Sequence, residues 1–482
     1  MSDVVLLNPA RYEKGADPFL PQNLGLGYLA AVLEAGGHRV KIIDALALGW
    51  HCRSSSAYPG ISIRGLRFGE IITSLPREAR YLGMSVPFVN SMHLVRELAL
   101  EIKRERPDIT VVVGGISPSV DPGFALESRG IDYAVRGAGE KALLALVSGK
   151  DPSRIPGVVS RDFDNGRAEP VRDLDTLPYP ARHLLPMEAY LKQSGRGRRD
   201  LRSASVLTSR GCPFRCGFCS IHHIYGHRWH GRSAGNVLEE IRFLVRTYGV
   251  RHIEFEDDNL TLDAQRAEEL FDGLMRLEPR ITWSTPNGTH IDTLDKRLLR
   301  KMKQSGCAAL FLAIESGDPD ILKRMHKQLD PAKVEEVVRI CGRLGINTSG
   351  IFIVGYPGET EESFRRTVSF IRKLRRLGLV GVGASIAKAY PGTQLRRLSE
   401  EQGLLLDKKR YYETPALGDY VDIETPDFSP EDVYRRLNFI RKDLNPLRRL
   451  ADRFGATGMI KRVLPQWCID SLKKNLYRAA KI

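Results

Sequence analysis

Three cysteines crowded into eight residues constrain this chain more than any other feature. They stand in Gly211-Cys212-Pro213-Phe214-Arg215-Cys216-Gly217-Phe218-Cys219, at a Cys-x3-Cys-x2-Cys spacing. So short a loop puts three thiolates, which are soft metal ligands, on one side of the backbone. Gly211 and Gly217 permit tight turns, and Pro213 fixes one corner. Two kinds of metal site fit these residues. A [4Fe–4S] cluster held by three thiolates keeps one iron open to a small molecule. A zinc ion completed by His222 or His223 is the other, although structural zinc usually takes two separated ligand pairs and the sequence offers no second pair. The other four of the seven cysteines, Cys52, Cys307, Cys341 and Cys468, are scattered. That is no disulfide framework, and it fits a reducing cytoplasm.

A chain of 482 residues exceeds one ordinary domain. Ahead of the cysteines, short apolar runs alternate with helical stretches. Strands are expected near residues 4–7, 39–44, 81–85, 109–113 and 131–135, with helices between them. This alternation predicts an α/β fold with a doubly wound, flavodoxin-like parallel sheet over residues 1–150. Such sheets bind ligands beyond the carboxyl ends of their strands, where Asn8, Ser85, Gly114-Gly115 and Gly137 stand. Residues 151–202 carry prolines and turn residues and read as a linker. Within it Gly195-Arg196-Gly197-Arg198-Arg199 reads as a mobile or substrate-facing loop.

Past the linker the alternation resumes. A short strand at 205–209 delivers the cysteine loop, and Val237, Leu238, Ile241, Leu244 and Val245 mark the buried stripe of the next helix. A strand at 252–255 ends in Glu256-Asp257-Asp258-Asn259. These polar side chains suit a cationic ligand group, or alternatively a capped turn. The apolar run 308–314 ends in Glu315-Ser316-Gly317, where a carboxylate can accept from ribose hydroxyls or serve the fold. About six strand–helix units predict a partial (β/α)6 barrel over 203–395, with its site at the strand ends. Residues 396–482 are expected to form a mainly helical, basic region, with helices over 394–402 and 430–443. Tyr411, Tyr412 and Tyr420 are candidates for lining a substrate cavity or for packing.

Cys-x3-Cys-x-aromatic-Cys, with Phe218 as the aromatic, resembles the signature of the radical S-adenosylmethionine (SAM) superfamily. The resemblance implies a [4Fe–4S] cluster on Cys212, Cys216 and Cys219 whose open iron binds SAM and cleaves it to a 5′-deoxyadenosyl radical. It further implies SAM contacts by Phe218, Glu256, Asp257, Asp258, Asn259, Glu315, Ser316 and Gly355. The last sits in Gly350-Ile351-Phe352-Ile353-Val354-Gly355, a loose match to a Gly-x-Ile-x-Gly element. Leu24-Gly25-Leu26-Gly27-Tyr28-Leu29-Ala30, Val113-Gly114-Gly115 and Arg136-Gly137-Ala138-Gly139-Glu140 resemble the cobalamin domain of the B12-dependent subfamily. That implies cobalamin contacts by Asn8, Leu24, Gly25, Ser85, Gly114, Gly115, Gly137 and Glu140. No histidine precedes His38, so the lower axial ligand of many cobalamin domains is missing.

The subfamily implies methyl transfer from methylcobalamin to an unactivated carbon radical, with ring formation by the same cofactors as the alternative. It implies a small-molecule, lipid or peptide substrate and an external electron donor of flavodoxin or ferredoxin type. A zinc-stabilised nucleic-acid-binding module is the reading from another class. The formal net charge of +15 gives it some footing, but no basic-aromatic recognition motif accompanies the charge, and no nucleic acid is expected. From residue 441 onward eleven Lys and Arg face three Asp, a net of 11 − 3 = +8. This reads as a solvated face, or as peripheral contact with the inner membrane surface. No apolar run reaches membrane-spanning length, and a cytoplasmic protein is expected.

Overall fold

Val4, Val5, Leu6 and Leu7 are all at most 1% exposed, buried on both faces as a central parallel strand requires. The computed structural model, which describes residues 3–14, 20–87, 91–193, 201–407 and 420–444, places them in β1 (Asp3–Asn8). Its neighbours are β2 (Arg39–Asp44), β3 (Ala79–Ser85), β4 (Thr110–Gly114) and β5 (Tyr133–Val135). They lie in the order β2-β1-β3-β4-β5, all parallel. Alternate β1 side chains feed opposite layers. Val4 and Leu6 pack with Leu26 and Ala30 of helix α1 (Leu24–Ala35) and Leu143 of α3 (Gly139–Val147). Val5 and Leu7 pack with Val95 and Leu98 of α2 (Ser91–Glu105). The predicted doubly wound sheet is therefore present. Its order reverses beside β1, which opens a crevice at the carboxyl ends of β1 and β3.

The segment read as a linker is built into this first unit. β6 (Val158–Val159) extends the sheet antiparallel to β5. Ala168 bridges to Gly137, and Tyr190 donates its hydroxyl to the buried carboxylate of Asp44. Gly195 to Arg199 lie outside the described residues. The sequence showed the prolines here, but not that the chain between them returns to the sheet.

The second unit is a six-stranded parallel sheet in sequential order: β7 (Ser203–Val206), β8 (His252–Phe255), β9 (Thr282–Thr289), β10 (Cys307–Glu315), β11 (Asn347–Val354) and β12 (Gly381–Ile386). Sequential order with intervening helices curls the sheet into a barrel, and β7 and β12 remain its unpaired outer strands among the described residues. Helix α4 (Ala234–Tyr248) buries the five apolar positions that its periodicity predicted. Ser233 caps its start, and Gly249 ends it in the left-handed conformation at φ 64°. The expected later helices are found at Gln394–Glu401 and Pro430–Asn438, the second running into a π-helical turn over Phe439–Asp443. Tyr420 is buried, whereas Tyr411, Tyr412 and the basic stretch from residue 445 lie outside the described residues. No described helix is long and apolar enough to cross a membrane.

Candidate functional site

The cysteine loop leaves the barrel after β7 and is clamped from two sides. Gly217 donates its N–H to the Met325 carbonyl at 2.9 Å and accepts from the Leu395 N–H at 2.8 Å, while Cys219 N–H turns back to the Cys216 carbonyl at 3.0 Å. The two glycines are constrained to different degrees. Gly211 holds φ 83°, and a Cβ there would stand 2.3 Å from the Arg228 carbonyl oxygen. Gly217 has no such torsion, but a Cβ would press on Tyr356 Oη at 3.1 Å and Gln394 Oε1 at 3.2 Å. We expect Gly211→Ala to cost at least about 1–3 kcal/mol from backbone strain alone. Urea denaturation with iron analysis checks this, the expected result being a lower midpoint and less bound iron.

The three thiols are free and partly buried, and their charges are mutually coupled. Burial raises all three pKa values, that of Cys219 to about 12, while the Lys327 charge opposes this at Cys212 and Cys216. Among the described residues no three His, Cys, Asp or Glu converge as ligands of a single ion. Three free thiols on one short loop are the donor set that a [4Fe–4S] cubane takes at three of its corners.

The ends of β8, β9 and β10 surround this loop. Asp257 is 2% exposed and accepts from Thr208 N–H (3.2 Å), Thr208 Oγ1 (2.7 Å) and Ser209 Oγ (2.5 Å). Its carboxylate thus braces the approach to the cysteines. Glu256 Oε1 accepts from Ser205 Oγ. Asp258 accepts from the Gly211 backbone, and burial followed by repulsion from Asp257 raises its pKa to about 6. Asn259 is fully buried with no hydrogen-bond partner on either side-chain atom. An orphaned buried amide of this kind calls for a ligand or water.

Glu315 holds φ 66°, a strained conformation for a non-glycine residue, and lies 3.7 Å from buried Lys327 Nζ. Ser316 is engaged with Thr367 and the Asp318 N–H. Gly355 (φ 75°) packs toward Val433, with its N–H donated to Glu359, on the side where the Pro430–Asn438 helix sits. Phe218 is half-buried against the core.

Sequence reasoning missed two residues here. His290, just past β9, stacks on Phe214 of the cysteine loop with ring centroids 3.6 Å apart and planes within 3°. Burial, then the Lys327 charge, lowers its pKa to about 3. Neither ring nitrogen has a hydrogen-bond partner, as Asp292 Oδ2 stands 3.6 Å away. The second is Lys327, whose charge reaches Cys212, Cys216, His290 and Glu315. Its position two residues after the Leu322-Lys323-Arg324-Met325 stretch was the only signal.

The first sheet turns its carboxyl edge toward this loop. The short helix Ile116–Val120, which follows Gly115, packs on His222–Tyr225, which follows Cys219. Along that edge Gly25 is exposed, and a Cβ on Gly114 would meet only Val135, at 3.9 Å. Gly115 (φ 117°) and Gly137 (φ 90°) pass close to the Val86 backbone and to Arg167 and Ala168. Asn23 caps α1 and donates to Ser85 Oγ at 3.3 Å, beside Leu24. Asn8 donates to Asp44 at 2.9 Å, and Glu140 is paired with Arg210 at 2.6 Å. Of these glycines Gly25 and Gly114 are open, whereas Gly115 and Gly137 are packed against neighbouring backbone and side chains.

The family model of the radical SAM superfamily matches residues 206–371, and that of the B12 binding domain matches residues 18–147. This chain belongs to the B12-binding radical SAM family. An uncharacterized methyltransferase of Pyrococcus horikoshii is 32% identical over 393 residues, covering 80% of this chain and 79% of its own. The cytidylyl-2-hydroxyethylphosphonate methyltransferase of Streptomyces wedmorensis is 28% identical, covering 85% and 84%. Among solved structures, the radical SAM methyltransferase TsrM of Kitasatospora setae, with tryptophan and a SAM analogue bound, superposes with a TM-score of 0.67. It covers 90% of this radical SAM protein and 83% of its own chain at 22% identity, a likeness of fold.

Proposed function

We propose that this protein is a cobalamin-dependent radical SAM methyltransferase that adds a methyl group to an unactivated carbon of a small-molecule, lipid or peptide substrate. The observation that carries the reading is the apposition of a three-thiol loop and a glycine-lined sheet edge within one chain. When bound, the cluster with SAM supplies hydrogen abstraction, and cobalamin supplies the methyl group. The chain's own work is to hold and to shield. Cys212, Cys216 and Cys219 would hold the cluster. Gly25, Ser85, Gly114, Gly115 and Gly137 would border the corrin. Asn259 and Asp258 would meet the amino group of SAM, and Glu315 its ribose. The Phe214–His290 stack closes one side of the loop against water. An external donor of flavodoxin or ferredoxin type would deliver the electrons.

Lys327 is a buried ammonium beside two cluster thiols, which suits it to the carboxylate of SAM. In cluster-loaded protein, Lys327→Met is expected to weaken SAM binding about tenfold or more, the worth of one charge-assisted hydrogen bond. Equilibrium binding measures it, and Lys327→Arg should recover part of the loss.

The deciding experiment supplies methyl-labelled SAM to the anaerobically reconstituted enzyme with a metabolite extract from a strain lacking it. Label in a new product, accompanied by 5′-deoxyadenosine, is the expected result. A cyclised product without label would favour ring formation instead. Protein that takes up zinc but neither iron nor cobalamin would end the proposal.

A further inference from the structure

The strand that leads into the cysteine loop is gripped by residues of the first sheet unit. Gln22 Nε2 donates to the Ser203 carbonyl, and Gln22 Oε1 accepts from the Ser205 N–H, each at 3.1 Å. Tyr28 on α1 donates to the Leu207 carbonyl at 3.5 Å. The last grip is Glu140, in the first turn of α3, which takes Arg210 Nη1 at 2.6 Å. Arg210 immediately precedes Gly211 and Cys212. The two side chains are 5% and 8% exposed. The guanidinium lies 4.9 Å over the ring of Tyr28, from the first unit, and 5.4 Å over that of Tyr225, from the helix after the cysteines. The bond is accepted by Glu140 Oε1, and Oε2 has no hydrogen-bond partner among the described residues.

Glu140 thus stands three residues from Gly137 on the proposed corrin edge, and Arg210 two residues from Cys212 on the proposed cluster loop. A charged pair buried this deeply is held by geometry that tolerates little drift, because its desolvation is offset only while the contact is made. The faces of two tyrosines hold the guanidinium as well. This joint is directional where apolar packing is not, and it links the two proposed cofactor regions across a single ion pair.

We propose that Glu140 and Arg210 form a positioning latch that sets the separation and tilt of the corrinoid relative to the iron–sulfur cluster. The proposal rests on the cofactor reading above. Glu140, which the family resemblance assigns to cobalamin, acts here through Arg210. Hydrogen abstraction and methyl capture must reach the same carbon, so a misplacement near 1 Å costs about a hundredfold in such steps.

The test uses full-length protein loaded with cluster and cobalamin and poised so that both the reduced cluster and cob(II)alamin are paramagnetic. It compares wild type, Glu140→Gln, Arg210→Gln and the double variant. Dipolar broadening of the cob(II)alamin EPR signal by the cluster reports their separation. The single variants leave one buried group without its counter-charge, and the broadening is expected to spread at least about twofold. The neutral Gln–Gln pair can hydrogen-bond across the same gap, so the double variant should return toward the wild-type spectrum at equal iron and cobalt content. A scaffold role would show no such rescue. Identical spectra in all four loaded proteins, or a double variant as disordered as the singles, overturns the latch alone. Loss of iron in both singles overturns it too, since the pair would then merely support the cysteine loop. A wild type without any cob(II)alamin signal overturns the cofactor reading and the latch with it.

Discussion

Replacing any one of Cys212, Cys216 and Cys219 by alanine is expected to abolish the iron–sulfur absorbance and to bring 5′-deoxyadenosine formation down to background. The three thiols have no substitute. Asp258 is the nearby acid, its charge acting on Cys212 and Cys219, and a hard carboxylate is a poor replacement for a soft thiolate on iron and sulfide. Burial also works against a partial site. It raises the pKa of each thiol, so thiols not bound to metal stay protonated at neutral pH and ligand loss is self-reinforcing. Cys52 is the control: it is exposed, remote in sequence and free, and Cys52→Ser should retain full iron. Anaerobic iron and sulfide analysis with product chromatography makes the measurement. Iron retained with SAM cleavage intact in the triple alanine protein would refute the cluster assignment.

The chemistry was legible because it is local. Three thiols in one loop, with glycines at its turns, announce themselves without any tertiary information. The first sheet was legible because strands such as β1 and β4 are buried on both faces and read as continuous apolar runs. What escaped was everything formed by residues far apart in the chain. Lys327 looks like any helix-end lysine until the barrel brings it beside Cys216. His290 is unremarkable until β9 ends against Phe214. Asp257 was read as a ligand, yet three donors from Thr208 and Ser209 occupy it, and those partners stand 48 or 49 positions away. The linker misled for a related reason. Prolines and turn residues signal irregular backbone, but not that Ala181 N–H would bond the Gly27 carbonyl and draw the segment onto α1.

Glu240 is the sharpest case, and its removal should produce the largest loss of stability. It sits one position before Ile241 on the apolar stripe of α4, where a glutamate is poor core material, and it is 1% exposed. Two guanidinium groups share it. Arg182, from the former linker, donates at 2.7 Å and also bonds the Ser205 carbonyl at 2.8 Å. Arg232 donates at 2.5 Å and reaches the Leu207 carbonyl at 3.0 Å and Tyr28 Oη at 3.3 Å. One carboxylate therefore neutralises part of a seam joining α1, the linker, β7 and α4. Glu240→Gln would leave two buried cations facing each other with no anion between them. Breaking a buried pair costs about 3–5 kcal/mol, and the doubled cation puts this site at the upper end of that range. Urea denaturation should show an earlier transition, with the two units separating before either unfolds. By contrast Glu101→Gln, which breaks the exposed pair with Arg104, should shift stability by less than about 1 kcal/mol. If Glu240→Gln behaved like that surface change, the seam would have to be held by close packing instead, where a Cβ on Gly27 would already stand 2.9 Å from Pro180.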